Sequence, residues 1–237
     1  MSPDRRRLLT ALPALATLLA LTPGCRMDPR EPPAEPIRYL ALGDSYTIGE
    51  AVEPEGRWTH QMVDLLASAG VAVAPPQTIA TTGWTTDELD AGIDEAAPQG
   101  PFGLVSLLIG VNNQYRGRPL GEYRDQYAAL LERAIGFAGG RADRVLVLSI
   151  PDWGVTPFGR GSGRDLAEVA AAIDAFNAAK RELSRARGVA FVDITPVSRA
   201  RGAEAAMVAA DGLHPSAAMY RAWALEAAPV ARALLTR

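Results

Sequence analysis

Ser45 follows Leu40-Ala41-Leu42-Gly43-Asp44, an apolar run of strand character that gives way to a polar turn with Gly43 and Gly49 on either side. A serine just past the carboxyl end of a strand is exposed and held by a short turn, and its hydroxyl becomes a nucleophile once a neighbouring base takes the proton. The candidate base is His214, in Asp211-Gly212-Leu213-His214-Pro215. A neutral imidazole serves a serine only if its other nitrogen is fixed, and a carboxylate three residues upstream in a tight turn can fix it. Asp211 therefore reads as the orienting acid, with a plain turn former ahead of Gly212 as the alternative. The other histidine, His60, falls on a segment of helical period, where a surface or half-buried structural role suits it better.

Attack on a carbonyl puts negative charge on its oxygen, which preorganised donors must stabilise. Two loops offer such donors: Thr81-Thr82-Gly83-Trp84 a backbone N–H at Gly83, and Gly110-Val111-Asn112-Asn113 a side-chain amide at Asn112. Trp84 and Tyr115 flank these donors, while Trp153 and Phe158 lie on a long segment after a strand, so all four are candidates to wall a substrate pocket. Packing of loops onto the domain is their competing role. Gly159 to Arg164 (GRGSGR) lacks the lysine and hydroxyl residue of a phosphate-binding loop and reads as a flexible surface loop. Ser45 also lacks the Gly-x-Ser-x-Gly setting of the alpha/beta-hydrolases, and its acid and base share one turn.

The elements that must position these groups alternate along the chain. Apolar runs at Ile37 to Leu42, Gly103 to Ile109, Arg144 to Ile150 and Val189 to Ile194 read as strands, with a weaker fifth near Gln77 to Ala80. Helical period predicts helices at Arg57 to Ala69, Thr86 to Ala96, Leu120 to Phe137, Asp165 to Ala186 and Ser216 to Leu235, the last capped by Ser216. In the fourth, Leu166, Val169, Ala170, Ile173, Phe176 and Leu183 share one face. The pattern predicts an α/β fold, a three-layer α/β/α sandwich of flavodoxin type around a mainly parallel sheet of about five strands. Sites in such sheets form beyond the carboxyl ends of the strands, where Ser45, Gly83 and Asn112 all fall.

In that order, Gly43-Asp44-Ser45, Gly83, Gly110-x-Asn112 and Asp211-x-x-His214 resemble the four-block signature of the SGNH/GDSL hydrolases, spanning the domain from Ile37 onward. The resemblance implies a serine esterase with Ser45 as nucleophile, His214 as base and Asp211 as its acid. It also implies an oxyanion hole made of the Ser45 and Gly83 N–H groups and the Asn112 side chain, with no metal and no cofactor. Many relatives carry Gly-x-Asn-Asp in the third block, where this chain has Asn113. That departure bears on loop rigidity and substrate range more than on reaction type.

The net charge of −3, from 24 basic and 27 acidic residues, leaves no broad cationic surface for nucleic acid. The expected partner is a small-molecule, lipid or acylated-sugar ester. The single cysteine, Cys25, excludes an internal disulfide and a zinc site of several thiolates. It follows Arg5-Arg6-Arg7, the apolar run Leu8 to Leu21, and Thr22-Pro23-Gly24, the order of an export signal. Gly24-Cys25 resembles a lipoprotein box, although Thr22 stands where leucine is usual, and the arginine cluster resembles a twin-arginine signal. The expected organisation is an export signal at 1–25, a proline-rich tether at 26–36 and one hydrolase domain at 37–237, located in the cell envelope or secreted. A lipid at Cys25 would be the sole membrane attachment.

The expected chemistry is a two-step acyl transfer through an acyl-enzyme, with activity rising as the imidazole loses its proton, about pH 6.5 for a free histidine. An acyltransferase or a carbohydrate deacetylase would use the same residues. A noncatalytic surface-binding lipoprotein would have no need of Ser45, Asp211 and His214 together.

Overall fold

A computed structural model describes residues 35–237. The expected export signal, Cys25 and all but the last two residues of the expected tether lie outside the described residues. Five parallel strands form one sheet in the order β2-β1-β3-β4-β5: β1 (Tyr39–Asp44), β2 (Gln77–Thr81), β3 (Leu104–Leu108), β4 (Val145–Leu148) and β5 (Ala190–Val192). This is the doubly wound order of the flavodoxin type, and the direction in which strands are added reverses at the crevice between β1 and β3.

Every residue of β1, β3 and β4 is buried, as expected of central strands covered on both faces. The edge strand β2 keeps its ends in solvent. On one face α2 (Trp58–Ser68) packs against α9 (Ala217–Leu235); on the other lie α3 (Thr86–Ala96), α5 (Leu120–Phe137) and α7 (Leu166–Ala186). The apolar stripe of α7 is buried at Val169, Ile173 and Phe176, while Leu166, Ala170 and Leu183 are half-buried. The same stripe also buries Asn177 and Lys180, two polar residues that the apolar period does not reveal. Asn177 meets its needs on the loop after β4, accepting from Ile150 N–H and donating to Ile150 C=O and Thr195 Oγ1.

Where the chain departs from the expected boundaries, the reason is local. The first strand runs from Tyr39 to Asp44 rather than from Ile37 to Leu42, because β2 carries the pairing on to Asp44 opposite Thr81 and Ile37 keeps only an isolated bridge to Val73. Ser45 accordingly starts a short helix, α1 (Ser45–Ile48), instead of sitting in a polar turn, with Asp44 Oδ1 accepting from Tyr46 N–H as its cap. Three further short helices escape a periodicity reading: α4 (Val111–Tyr115), α6 (Pro157–Gly161) and α8 (Thr195–Arg201). The first three residues of the GRGSGR stretch thus close α6, and only Ser162 to Arg164 form a loop. Likewise the long loop expected after β4 holds a 3-10 turn over Trp153–Val155 and then α6. Ser216 caps α9 as expected, its Oγ accepting from Met219 N–H.

Two signature glycines are fixed by space. A Cβ at Gly43 would stand 2.1 Å from Thr47 Oγ1 and 2.3 Å from Leu108 C=O, so α1 can fold back onto the neighbouring strand only over a bare backbone. Gly110 has φ +120°, and a Cβ there would meet the Tyr123 ring at 2.6 Å. None of the described helices is long and apolar enough to cross a membrane.

Candidate active site

Segments that follow β1, β3, β4 and β5 converge on a cavity of about 140 Å³. Ser45, Asn112 and His214 border it, together with Tyr115, Trp153 and Phe158. Ser45 and His214 are both largely buried. The Ser45 hydroxyl makes no hydrogen bond among the described residues, so serine and imidazole border the same cavity without a hydrogen bond between them. Such catalytic hydrogen bonds often form only when substrate is bound.

The histidine turn builds itself. Asp211 Oδ2 lies 2.6 Å from His214 Nδ1, while Asp211 Oδ1 accepts from the N–H groups of Leu213 and His214 at 2.9 Å each. A small antiparallel closure, Ala209 N–H to His214 C=O at 2.8 Å, holds the turn's two ends together. One carboxylate thus sets both the backbone of the turn and the ring above it, and Nε2 has no hydrogen-bond partner among the described residues. Partial burial works to raise the Asp211 carboxyl, but the hydrogen bonds from His214 and from the two backbone N–H groups outweigh it and hold it below the usual carboxylate range. The Tyr46 ring packs beside the imidazole at 5.6 Å.

The donor loops are built differently, by side chains that reach across from one loop to the other. Asn112 Nδ2 donates to Trp84 C=O at 2.9 Å, which uses one amide hydrogen and fixes the side chain where it borders the cavity. Arg116 Nη2 donates to Gly83 C=O at 2.6 Å and Nη1 pairs with Glu88 at 3.0 Å, tying the Gly83 turn to the end of α4. The Gly83 N–H has no acceptor among the described residues. Gly83 is not among the residues bordering the cavity, and neither is Trp84, whose indole packs toward Gly92 of α3.

Asn113 explains its own identity. It is fully buried, accepts from Thr86 N–H at 3.1 Å through Oδ1 and donates to Thr86 Oγ1 at 2.7 Å through Nδ2. Thr86 Oγ1 then donates to Gln126 Oε1. A carboxylate would lack the N–H that Thr86 Oγ1 accepts here, so the amide completes a donor–acceptor chain that braces the start of α3.

Beneath the serine lies a buried pair of ionisable groups. Burial raises the Asp44 carboxyl to about 7, against the hydrogen bond from Tyr46 N–H and the attraction of Lys180. Burial lowers the Lys180 ammonium to about 7, with Asp44 pulling the other way. Lys180 Nζ donates to Leu148 C=O at 2.6 Å, at the carboxyl end of β4. His60, half-buried on α2, shares a 3.3 Å hydrogen bond with Thr59 and takes no part in the site. Among the described residues no group of His, Cys, Asp and Glu side chains is arranged to hold a metal ion.

A family model for the GDSL-like lipase/acylhydrolases matches residues 41–222, from inside β1 into α9. The chain belongs to that family. It is an ester hydrolase, and its fold recurs in solved members at low identity. A lipase/acylhydrolase from Enterococcus faecalis is 20% identical, with 83% of this chain and 96% of that chain covered at a TM-score of 0.62. The psychrotrophic esterase EstA from Pseudoalteromonas sp., in a structure inhibited by monoethylphosphonate, is 15% identical, with 84% and 99% covered at a TM-score of 0.61. A lipolytic protein of the G-D-S-L family from Veillonella parvula is 18% identical, with 81% and 97% covered at 0.60. A search of curated proteins finds no match.

The hydrolase also uses residues that its sequence pattern does not single out. Gln114 Oε1 accepts from the Trp153 indole N–H at 2.8 Å, so Trp153 is buried in the cavity wall rather than loose at a rim. Asp152, buried, accepts from Gly154 N–H at 2.9 Å and pairs with Arg199 at 2.8 Å, anchoring the segment that carries Trp153. Arg116 and Arg199 lie far in sequence from the groups they hold, and no local pattern marks either.

Proposed function

We propose that the chain is a serine esterase that hydrolyses carboxylic esters through an acyl-enzyme on Ser45, with His214 as base and Asp211 as its orienting acid. The observation that carries this reading is the 2.6 Å contact between His214 Nδ1 and Asp211 Oδ2, on a residue that borders the same cavity as Ser45. Ser45 Oγ attacks the ester carbon as His214 Nε2 takes its proton. The carbonyl oxygen becomes an oxyanion, received by the Ser45 and Gly83 N–H groups and Asn112 Nδ2. His214 returns the proton to the alcohol as the C–O bond breaks. Water then gives a proton to the same nitrogen, attacks the acyl-enzyme and releases the acid with the serine restored.

The apolar, aromatic lining of the cavity favours an uncharged acyl group. Phosphonate inhibition of the Pseudoalteromonas relative supports the choice of test. A fluorophosphonate should add to Ser45 with loss of fluoride, read as a mass increase of the intact protein, and Ser45→Ala should stay unlabelled. Labelling elsewhere, or none, overturns the assignment. With p-nitrophenyl acetate and an added alcohol, release of free acetate supports the hydrolase; preferential transfer to the alcohol makes the chain an acyltransferase.

Export is part of the same reading, resting on the basic, apolar and small-residue order that ends at Cys25. Mass spectrometry of the mature amino terminus tests it. A diacylglyceryl group on Cys25 makes the protein an envelope lipoprotein, an unmodified cleaved terminus makes it secreted, and an intact Met1 terminus overturns export.

A further inference from the structure

On one side of the cavity three aromatic rings meet. The Tyr115 and Trp153 centroids lie 5.3 Å apart, Trp153 and Phe158 6.1 Å, and Tyr115 and Phe158 6.2 Å. Two of the three are anchored independently. Trp153 is buried and donates its indole N–H to Gln114. Phe158 sits on α6, and its N–H donates to Gly212 C=O at 2.9 Å, inside the turn that holds His214. Tyr115 is different. It is 37% exposed, ends the short helix α4, and its hydroxyl makes no hydrogen bond among the described residues. What fixes it is Arg164, whose guanidinium carbon lies 4.2 Å from the Tyr115 centroid and 5.5 Å from that of Trp153, while Nη1 donates to Tyr115 C=O at 2.9 Å.

Arg164 is itself held for this contact. Its N–H donates to Ser162 Oγ at 3.3 Å, Gly163 before it has φ +71°, and Asp165 after it caps α7 by accepting from Ala167 and Glu168 N–H groups. No carboxylate pairs with its guanidinium among the described residues. A planar cation that is built into place, unpaired, and stacked on a ring is using its shape as much as its charge.

We propose that Arg164 is a specificity-determining positioning residue: it latches Tyr115 against Trp153 and so fixes the apolar wall against which the acyl group of the ester lies. Val111 and Tyr115 share α4 with Asn112, so this wall begins next to the donor proposed for the carbonyl oxygen, within reach of the acyl group bonded to the same carbon. With Tyr115 held, the wall suits short, uncharged acyl chains. Released, the half-exposed ring swings outward and makes room for longer ones. The inference rests on the esterase reading above.

The test is a series of p-nitrophenyl acetate, butyrate and octanoate, with kcat/KM measured for each variant and expressed as the octanoate-to-acetate ratio, so that any loss of active fraction cancels. Arg164→Ala should raise this ratio about tenfold, the scale of one to two methylenes of pocket fit. Arg164→Lys, which keeps the charge but not the planar fork, should raise it by an intermediate amount. In a Tyr115→Ala background, Arg164→Ala should leave the ratio unchanged, because the arginine acts through that ring. A ratio unmoved by Arg164→Ala, or moved equally with and without Tyr115, overturns the latch. Wild-type protein that turns over none of the three esters and takes no fluorophosphonate fails the esterase reading itself, a result distinct from an active enzyme whose ratio stays fixed.

Discussion

On the histidine side of the site, acid and base lie three residues apart, and the turn between them closes on its own backbone. On the donor side, the groups come from segments 27 to 33 residues apart and are held by side chains of one loop bonded to the other: Asn113 to Thr86, Asn112 to Trp84 C=O, Arg116 to Gly83 C=O. The first half is built from contacts mostly local in sequence, with Phe158 N–H reaching Gly212 C=O from α6. The second exists only after β1, β2 and β3 have paired, because its partners meet across the sheet. Damage to the histidine turn should therefore fall mainly on chemistry, with only a small pH-dependent effect on stability, whereas damage to the stitching should act through geometry and fall short of abolishing the reaction.

The largest effect sharpens this contrast from the local side. Asp211→Asn should lower kcat by roughly 10³–10⁴ at neutral pH, because the amide no longer selects the tautomer and orientation of His214. A loss under tenfold in steady-state kinetics would mean that another group fixes the ring. Next comes Asn112→Ala, expected to cost about 10²–10³ in kcat with little change in KM, since the donor acts on charge that develops in the transition state. Arg116→Ala should cost less, about tenfold in kcat, by freeing the Gly83 turn without removing a donor. Because the Arg116–Glu88 pair is exposed, the denaturant midpoint should shift by no more than about 1 kcal/mol of stability. An Arg116→Ala loss as large as that of Asn112→Ala would erase the distinction between donor and stitch.

The smallest effect is one of pH. The Asp211 carboxyl is held below its ordinary value in the folded protein, so it binds its proton more weakly there than in the unfolded chain. Its contribution to stability is therefore fully present above the unfolded value, about 3.9, and is lost as pH falls through the lower folded one. Urea midpoints followed from pH 5 to pH 3 should fall less steeply in Asp211→Asn than in the wild type. Parallel curves would show that the turn's hydrogen bonds do not favour the ionised acid.

Legibility in the sequence follows the same division. Long elements with a period announce themselves: α3 and α5 run over the residues their periodicity predicts, and the buried strands read as continuous apolar runs. Elements of four to seven residues have too few turns to show a period, so α1, α4, α6 and α8 are invisible to it. That blind spot matters, because α1 carries Ser45, α4 carries Asn112 and Tyr115, and α6 carries Phe158. The segment after β4 reads as an irregular loop for the same reason, and only the Gln114 and Asp152 contacts reveal that Trp153 is a fixed wall.

What the amino-acid order determined by itself was the parallel α/β architecture, the capped start of α9, and which residue types stand where the proposed nucleophile, base, acid and donors are needed, since strand and helix periods and a three-residue Asp–His turn are local properties. Only the tertiary structure decided that one cavity borders Ser45, Asn112 and His214, that Arg116 and Asn113 join the donor loops, that Arg164 stacks on Tyr115, and that Lys180 and Asp44 are buried together beneath the serine. Each of these is a meeting of residues brought together by strand order and helix packing, and the distance along the chain between them carries no trace of the distance in space.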